Sequence, residues 1–227
     1  MSVTRHNFLS LLHSTIQPRG YLEIGVHQGD SLVLATCPAL GVDPSPILNR
    51  HQRPNETIIV ATSDQFFESA VNEAMPIVDL AFIDGMHLFE FALRDFMYVE
   101  DHSNSRTVVV FDDMLPRNQE EAAREQCPGD WTGDVWKVTN LLSTYRPDLE
   151  LRLVDTFPTG SLVVWNLDPG NRKLSDLYET IRGMKLDQFN EVPPDVINRT
   201  EVYSPYDVLQ ELMSWLRTFD VPELRPT

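Results

Sequence analysis

Short apolar runs separated by polar turns recur along the chain, and each has the length and composition of a buried β-strand. Between several of them, longer segments place apolar residues three or four positions apart, the period of an amphipathic helix. Strands that alternate with helices in this way favour an α/β domain with a largely parallel sheet. Seven strands are predicted. The first starts at Tyr21, and the other six cover 39–43, 57–61, 78–83, 107–111, 149–154 and 161–166.

The helical periodicity predicts a short leading helix within 3–16, which we expect to pack on the sheet or cover a site. The polar segment 115–130 is predicted as a mobile loop or a solvated helix. The last two strands follow each other closely, which predicts an antiparallel hairpin at the sheet edge. Further helices are expected from Asp30 or Ser31 through Ala35, and over 66–75, 88–99, 133–145 and 173–184, with a final one carrying an apolar stripe within 208–219.

A change in composition near residues 168–170 predicts a main domain over 1–168 and a C-terminal helical extension over 169–227. A chain of 227 residues is long enough for such a domain with its own core. The apolar stripe of the last helix has two interpretations. It packs on the main domain, or it forms a lid or the contact of a homodimer.

The net charge of −16 bears on the partners, because phosphate-rich partners require a basic patch and no Lys/Arg cluster is visible. We therefore expect no nucleic-acid or membrane partner, and a neutral or cationic small substrate instead. No apolar run approaches the ~20 residues of a membrane span. The first residues lack the apolar core of a signal peptide, so a cytoplasmic location is expected. Cys37 and Cys127 are expected to be reduced thiols.

A glycine-bearing loop follows the first strand, in the pattern Glu23-x-Gly25-x-x-x-Gly29. Glycines there let a ligand approach the backbone, and Asp43 ends the second strand where it can accept hydrogen bonds from a ribose diol. Dinucleotides and S-adenosylmethionine both use this arrangement. A dinucleotide pyrophosphate requires Gly-x-Gly-x-x-Gly, whereas position 27 is histidine, so the methyl donor is favoured.

Two later strands end in acids, giving Asp84-Gly85-Met86-His87 and Asp112-Asp113. Together with the glycine loop, these motifs resemble the class I S-adenosylmethionine-dependent methyltransferases, over about residues 20–166. More closely, they are similar to the branch of metal-assisted sugar O-methyltransferases. The resemblance rests on Tyr21-Leu-Glu-Ile-Gly-Val-x-x-Gly29, Gly41-Val-Asp43, Phe82-Ile-Asp84-Gly-x-His87 and Val110-Phe-Asp112-Asp113.

The resemblance implies a Rossmann-like, doubly wound sheet of seven strands in the order 3-2-1-4-5-7-6, with the last strand antiparallel and helices on both faces. It implies that S-adenosylmethionine binds with its methionine end at Glu23, Gly25 and Gly29 and its ribose at Asp43. The remaining implied residues are Ser63 and Asp64 beside the adenine, Asp84 on the cofactor side, and Asp84, Asp112 and Asp113 as ligands of a divalent cation.

Physical reasoning favours the cation independently, because three converging carboxylates repel one another unless a hard ion such as Mg²⁺ lies between them. Such an ion binds two vicinal sugar hydroxyls and lowers the pKa of one. His87 is then the candidate general base for a direct in-line transfer of the methyl group. Several relatives carry a second acid as the base where this chain has Met86, which leaves the proton acceptor open.

The sequence thus predicts an O-methyltransferase acting on a sugar, either free or within a glycoside or polysaccharide. A catechol-type acceptor is the alternative within the same chemistry, since it also offers two adjacent oxygens. An NAD-dependent oxidoreductase or epimerase is a different alternative, disfavoured by the glycine spacing and by Arg182 standing four residues after Tyr178 in place of lysine. A catalytically silent binding protein is a third, disfavoured by the intact set of acids.

Overall fold

Seven strands form a single sheet in this computed structural model, which describes residues 2–69, 75–188 and 191–219. The strands are β1 (Tyr21–Ile24), β2 (Ala39–Asp43), β3 (Glu56–Val60), β4 (Leu80–Ile83), β5 (Val108–Phe111), β6 (Glu150–Val154) and β7 (Ser161–Trp165). Their order is β3-β2-β1-β4-β5-β7-β6, with β1 to β5 parallel and β7 antiparallel to both β5 and β6. The predicted topology and the edge hairpin are therefore confirmed.

Helices lie on both faces of the sheet, also as predicted, although several of them differ in their bounds. None of the helices within the described residues is long and apolar enough to cross a membrane. The helices are α1 (Arg5–Ile16), α2 (Ser63–Phe67), α3 (Phe89–Asp101), α4 (Lys137–Tyr145), α5 (Lys173–Gln188), α6 (Pro194–Asn198) and α7 (Pro205–Leu216).

The helix expected after the glycine loop is wrong, because only a 3₁₀ turn over Leu32–Leu34 forms there. Ala35 already has extended backbone angles, with ψ at 129°. Pro38 follows closely and β2 begins at Ala39, so too few residues remain for a hydrogen-bonded α-helix to propagate. Short spacing between two strands outweighed the apolar periodicity.

Two other expectations are corrected at helix starts. Helix α2 begins three residues early because Thr62 and Gln65 form a reciprocal capping box. It ends at Phe67, so the predicted helix is wrong over 68–69 and at residue 75, and 70–74 lie outside the described residues. Helix α4 begins four residues late, because Gly133 has φ at +58° and its Cα packs against the His87 carbonyl. Segment 115–130 forms turns and no helix, held by the buried carboxylate of Glu121.

The two large parts of the core lie one on each face of the sheet, and a small third cluster contains Ala122, Trp136 and Val192. Helices α2, α3, α4 and α5 contribute to one part, and α1 and α7 cover the other. Leu174 and Leu212, which lie beyond residue 168, belong to these two cores respectively. The apolar stripe of α7 is therefore occupied by packing inside the molecule, against α1 and the sheet. The domain boundary at 168 and a homodimer stay predictions.

The packing of α7 predicts the cost of truncating its buried stripe. Leu212 is 0% exposed and Met213, the next residue, is 42% exposed. We expect Leu212→Ala to lower the free energy of unfolding by about 2–5 kcal/mol, since a buried cavity is left behind. Met213→Ala is the matched control and should stay within about 0.5 kcal/mol of the unmodified chain in urea denaturation. Equal effects of the two changes would contradict the packing.

Candidate active site at the carboxyl edge of the sheet

The alternation of side chains along β4 and β5 directs two acids to the same face of the sheet. Phe82 and Val110 point into the core beneath α1 and α7. Asp84 and Asp112 follow two residues later, so the period of two places them on that face as well. The strands are parallel neighbours in register, and the Asp112 amide donates to the Ile83 carbonyl at 3.1 Å. The two carboxylates therefore meet beside the first turn of α1.

Asp113 reaches the same place through an unusual backbone conformation. Its φ is +61°, in the left-handed region that residues other than glycine rarely adopt. Its Oδ1 accepts a hydrogen bond from Thr159 Oγ1 at 2.5 Å, and its Oδ2 lies 3.3 Å from His87 Nδ1. Asp84, Asp112 and Asp113, which we call the acid cluster, are thus brought together as the sequence predicted.

The imidazole of His87 lies between two of these acids in an orientation set by Trp131. Its Nδ1 is 2.8 Å from the Trp131 carbonyl oxygen, which can only accept, so Nδ1 carries a hydrogen. Its Nε2 is 3.5 Å from Asp84 Oδ1, and the two rings stack with centroids 5.2 Å apart. In the neutral imidazole, the lone pair is therefore on Nε2 and faces Asp84.

Arg5, the first residue of α1, lies at this site and was not predicted from the sequence. Its Nη1 donates to Asp112 Oδ2 in a short hydrogen bond and lies 3.7 Å from Asp84 Oδ2. A cation in the first turn of a helix opposes the helix dipole, and this was the available signal that Arg5 has another partner. The expectation that the leading helix covers the site agrees with this contact.

Crowding of the carboxylates in a buried position alters their protonation. Burial raises the pKa of Asp112 to about 6, and the neighbouring Asp113 charge adds to the effect. Burial likewise raises the pKa of Asp113 to about 6, with a further contribution from Asp84. The pKa of Asp84 is also raised, by burial and then by Asp112. The folded protein therefore favours any positive charge placed among these groups.

Burial alone would lower the pKa of His87, but its acidic neighbours outweigh that effect. The hydrogen bond to Asp84 and the charges of Asp113 and Asp84 raise the pKa to about 9. The imidazole is consequently protonated at neutral pH in the protein without bound ions. His87 in that state is a donor and not a base.

The donor set fits a divalent cation. One atom each from Asp84, His87 and Asp113 can be chosen so that all lie within 4.8 Å of one another. The Nδ1–H of His87 bonded to a backbone carbonyl is the usual support of a metal-ligating histidine. Asp112 Oδ1 is buried and has no hydrogen-bond partner among the described residues. His87 thus takes a place in this set that the sequence assigned to Asp112.

Residues 25–31, the glycine loop, lie directly against the acid cluster. Gly25 has φ at +89°, and a Cβ there would come within 1.9 Å of the Asp84 carbonyl oxygen, so the position requires glycine. Gly29 has φ at +79° within the same loop. Glu23 is fully buried and accepts hydrogen bonds from the hydroxyls of Tyr21 at 2.7 Å and Ser31 at 3.2 Å. Burial raises the pKa of Glu23 to about 8.

Asp43 has a structural task in addition to the ribose contact predicted for it. Its Oδ2 accepts the amides of Val26 and His27, both at 2.8 Å, and its Oδ1 accepts the Ser45 amide at 2.6 Å. These bonds hold the glycine loop at the end of β2. Since Oδ1 has one partner, it retains capacity for a further donor such as a ribose hydroxyl.

Ser63 and Asp64 begin α2, at the end of β3, where they were expected to flank the adenine. Asp64 pairs with Arg94 on α3 at 2.5 Å. Asp95, also on α3, is a second residue that the sequence reasoning did not assign to a site. Burial raises the pKa of Asp95 to about 7, an effect opposed by its hydrogen bond with Ser63. A Cβ on Gly85 would lie 3.6 Å from Asp95 Oδ2, so this carboxyl is beneath the loop after β4.

A comparison with protein families finds a match in the central part of the chain. A family model described as a methyltransferase domain matches residues 22–114. That span contains the glycine loop, the acid cluster and His87. No curated protein matches the chain in sequence.

Solved structures of methyltransferases share the fold. The O-methyltransferase from Bacillus cereus in complex with S-adenosylhomocysteine is 17% identical, with a TM-score of 0.53 over 72% of this chain and 80% of that one. TomG from Streptomyces achromogenes, an O-methyltransferase of tomaymycin synthesis solved with S-adenosylmethionine, is 16% identical, with a TM-score of 0.53 over 72% and 80%. PaMTH1 from Podospora anserina, bound to S-adenosylhomocysteine, is 14% identical, with a TM-score of 0.54 over 72% and 78%.

The raised pKa of His87 predicts a pH dependence of stability in the presence of a chelator. A cationic group whose pKa rises from 6.5 to about 9 on folding contributes stability that is complete below pH 6.5. That contribution is lost as the pH rises through about 9. We expect the difference in unfolding free energy between the unmodified chain and His87→Gln to shrink between these limits, measured by urea denaturation at several pH values. Asp84→Asn should weaken this pH dependence. A difference in unfolding free energy that stays constant with pH would contradict the raised pKa of His87.

Proposed function

We propose that the chain is a divalent-cation-assisted O-methyltransferase acting on a sugar hydroxyl. The methyltransferase family model that matches residues 22–114 and the fold shared with solved methyltransferases support this proposal. One observation carries the proposal. The glycine loop and the acid cluster are in direct contact, through Gly25 and the Asp84 carbonyl. A cofactor on the loop and an acceptor at the cluster would therefore be neighbours, as transfer between them requires.

The cofactor half of the proposal rests on the glycine loop. Its Gly-x-x-x-Gly spacing lacks the middle glycine that a pyrophosphate needs, and His27 stands at that position. S-adenosylmethionine carries no pyrophosphate. We propose that Glu23, Gly25 and Gly29 line its methionine end and that Asp43 Oδ1 accepts from its ribose.

The adenine is proposed to lie at the start of α2, beside Ser63 and Asp64. Both residues stand at the carboxyl edge of the sheet, in the loop-to-helix junction after β3. Thr62 caps this helix, so Ser63 and Asp64 are its first two residues. Asp84 follows β4, which lies between β1 and β5 in the sheet, so it would border both the cofactor and the acceptor.

The cation half rests on the acid cluster. Asp84 and Asp113 are the proposed ligands, since both the sequence prediction and the set of atoms within 4.8 Å of one another include them, and His87 or Asp112 is proposed as the third. Three carboxylates suit Mg²⁺, whereas a set that includes imidazole also suits ions such as Mn²⁺. A divalent cation held there would lower the pKa of a coordinated hydroxyl.

His87 remains the proposed proton acceptor, and its contacts favour Nε2 as the accepting atom. Because Nδ1–H is held by the Trp131 carbonyl, only Nε2 can take a proton. That nitrogen must first be neutral, which the carboxylates oppose when no other cation is present. The same nitrogen is the one available to a metal, so His87 serves as base only where the carboxylates provide the ligands.

A sugar is the proposed acceptor because the rim of the acid cluster is rich in hydrogen-bonding groups. Arg5 and His87 border the carboxylates with partly exposed side chains, and the Arg5 guanidinium can donate to a hydroxyl. The acidic chain also favours a neutral acceptor over an anionic one. A catechol offers the same pair of adjacent oxygens and is the natural comparison in any assay.

Binding calorimetry tests the cofactor. We expect S-adenosylmethionine and S-adenosylhomocysteine to bind and NAD not to bind. Asp43→Asn should weaken the binding of S-adenosylhomocysteine by about tenfold or more, since it removes charged acceptors from the loop amides and the ribose. Asp30→Asn makes the same change at an exposed position of the loop and should bind within about twofold of the unmodified chain. Binding of NAD alone would overturn the proposal.

Methyl transfer from labelled S-adenosylmethionine tests the cation and the acceptor. Product on a glycoside with vicinal hydroxyls is expected with Mg²⁺ or Mn²⁺ and is expected to disappear with a chelator. Asp113→Asn should reduce the rate by about a hundredfold or more, because it removes an ion ligand. The exposed Asp101→Asn is the control and should be unaffected. Activity that survives the chelator would refute the cation, and transfer to catechols alone would refute the sugar.

A further inference from the structure

Arg5 is held at the acid cluster by its backbone as well as by its side chain. The Arg5 amide donates to the Phe157 carbonyl at 3.1 Å, and the Phe157 amide donates to the Val3 carbonyl at 2.8 Å. Thr4 caps α1 between these two bonds. Thr159, two residues after Phe157, donates to Asp113. One segment therefore anchors both the arginine and one of the acids, so the position of Arg5 is built into the fold.

The guanidinium divides the acid cluster into two unequal parts. Asp112 accepts the short hydrogen bond from Arg5, whose Nη1 also lies 3.7 Å from Asp84 Oδ2, whereas Asp84 and Asp113 lie with His87 in the set that could hold an ion. The second oxygen of Asp112 is buried without a partner among the residues that the structure describes. One Asp112 oxygen is therefore occupied by Arg5, and the other is free to accept a hydrogen bond or to coordinate a cation.

We propose that Arg5 is an internal counter-cation that competes with the divalent cation for Asp112. With Arg5 in place, the ion site is restricted to Asp84, His87 and Asp113. When the Arg5 side chain moves away from Asp112, Asp112 coordinates the divalent cation. His87 then no longer serves as a ligand of that cation. This inference rests on the proposed function in so far as the site takes a divalent cation, and it concerns the affinity of that site and the ligands used.

Electrostatics sets the expected direction. A positive charge within a few ångströms of a cation site opposes ion binding, and an ion gains affinity with each added carboxylate. Removing Arg5 should therefore tighten ion binding, although the same change removes an ion pair from the folded protein. If Arg5 only held the site in its folded shape, removing it would weaken ion binding instead.

A four-member set of variants titrated with Mn²⁺ by calorimetry tests the proposal. The members are the unmodified chain, Arg5→Gln, Asp112→Asn and the double variant. We expect Arg5→Gln to lower the dissociation constant by about tenfold or more. Asp112→Asn should stay within about threefold of the unmodified chain, because Asp112 is not a ligand while Arg5 holds it. The double variant should lose the tighter Mn²⁺ binding expected for Arg5→Gln.

Arg19→Gln is the matched control. Arg19 pairs with Asp79 at the opposite edge of the sheet, before β4, so it changes the net charge equally without touching the site. It should leave Mn²⁺ affinity unchanged. If Arg5→Gln does not fold, Arg5→Lys keeps the charge and loses the planar fork, and we expect it to tighten binding by about twofold to fivefold.

Three results would overturn the proposal. They are weaker or equal Mn²⁺ binding by Arg5→Gln, loss of binding in Asp112→Asn alone, and no binding by any member of the set. Titration of the same samples with S-adenosylhomocysteine separates this failure from that of the proposed function. If the nucleoside binds while Mn²⁺ behaves in one of these ways, the competition by Arg5 is refuted and the methyltransferase proposal stands.

Discussion

Three carboxylates buried at one edge of a sheet need positive charge close by, and much of the surrounding structure supplies it. An unpaired buried charge costs several kcal/mol, so the acid cluster would not be stable alone. Arg5 arrives from the first helix, and His87 is oriented by the carbonyl of Trp131. Three elements contact one another at the acid cluster: the leading helix, the loop after β5 and the segment before β7.

The acid cluster and the glycine loop act as one unit because their backbones are in contact. Gly25 lies so close to the Asp84 carbonyl that no side chain fits between them, and Asp43 ties the same loop to the end of β2. A movement of either part would be transmitted to the other. The proposed neighbours, a cofactor on the loop and an ion with an acceptor on the cluster, are thereby kept in fixed relation.

Elements with strong local signals were predictable, and those that depend on spacing or distant contacts were not. The strands could be read from their apolar runs, and the resemblance supplied their order, since parallel pairing and helical crossovers leave few topologies. The helix after the glycine loop failed because a strand begins too soon for it to form. Helix α4 begins late because Gly133 packs against His87, a contact between residues far apart in the chain. Neither cause is visible in a local pattern.

The sequence by itself determined that Asp84 and Asp112 would meet, because the strands before them end at one edge and each acid lies two residues beyond a core-facing position. Asp113 joins them only through its left-handed backbone conformation, with φ at +61°. It also placed Glu23, Gly25, Gly29 and Asp43 at or just after the ends of the first two strands. Only the tertiary structure decided how the charge is balanced. Arg5 lies 107 positions from Asp112 in the sequence, and the carbonyl that orients His87 is 44 positions away. Contacts between such distant residues depend on how α1 and the loop after β5 pack, and no local pattern records that packing.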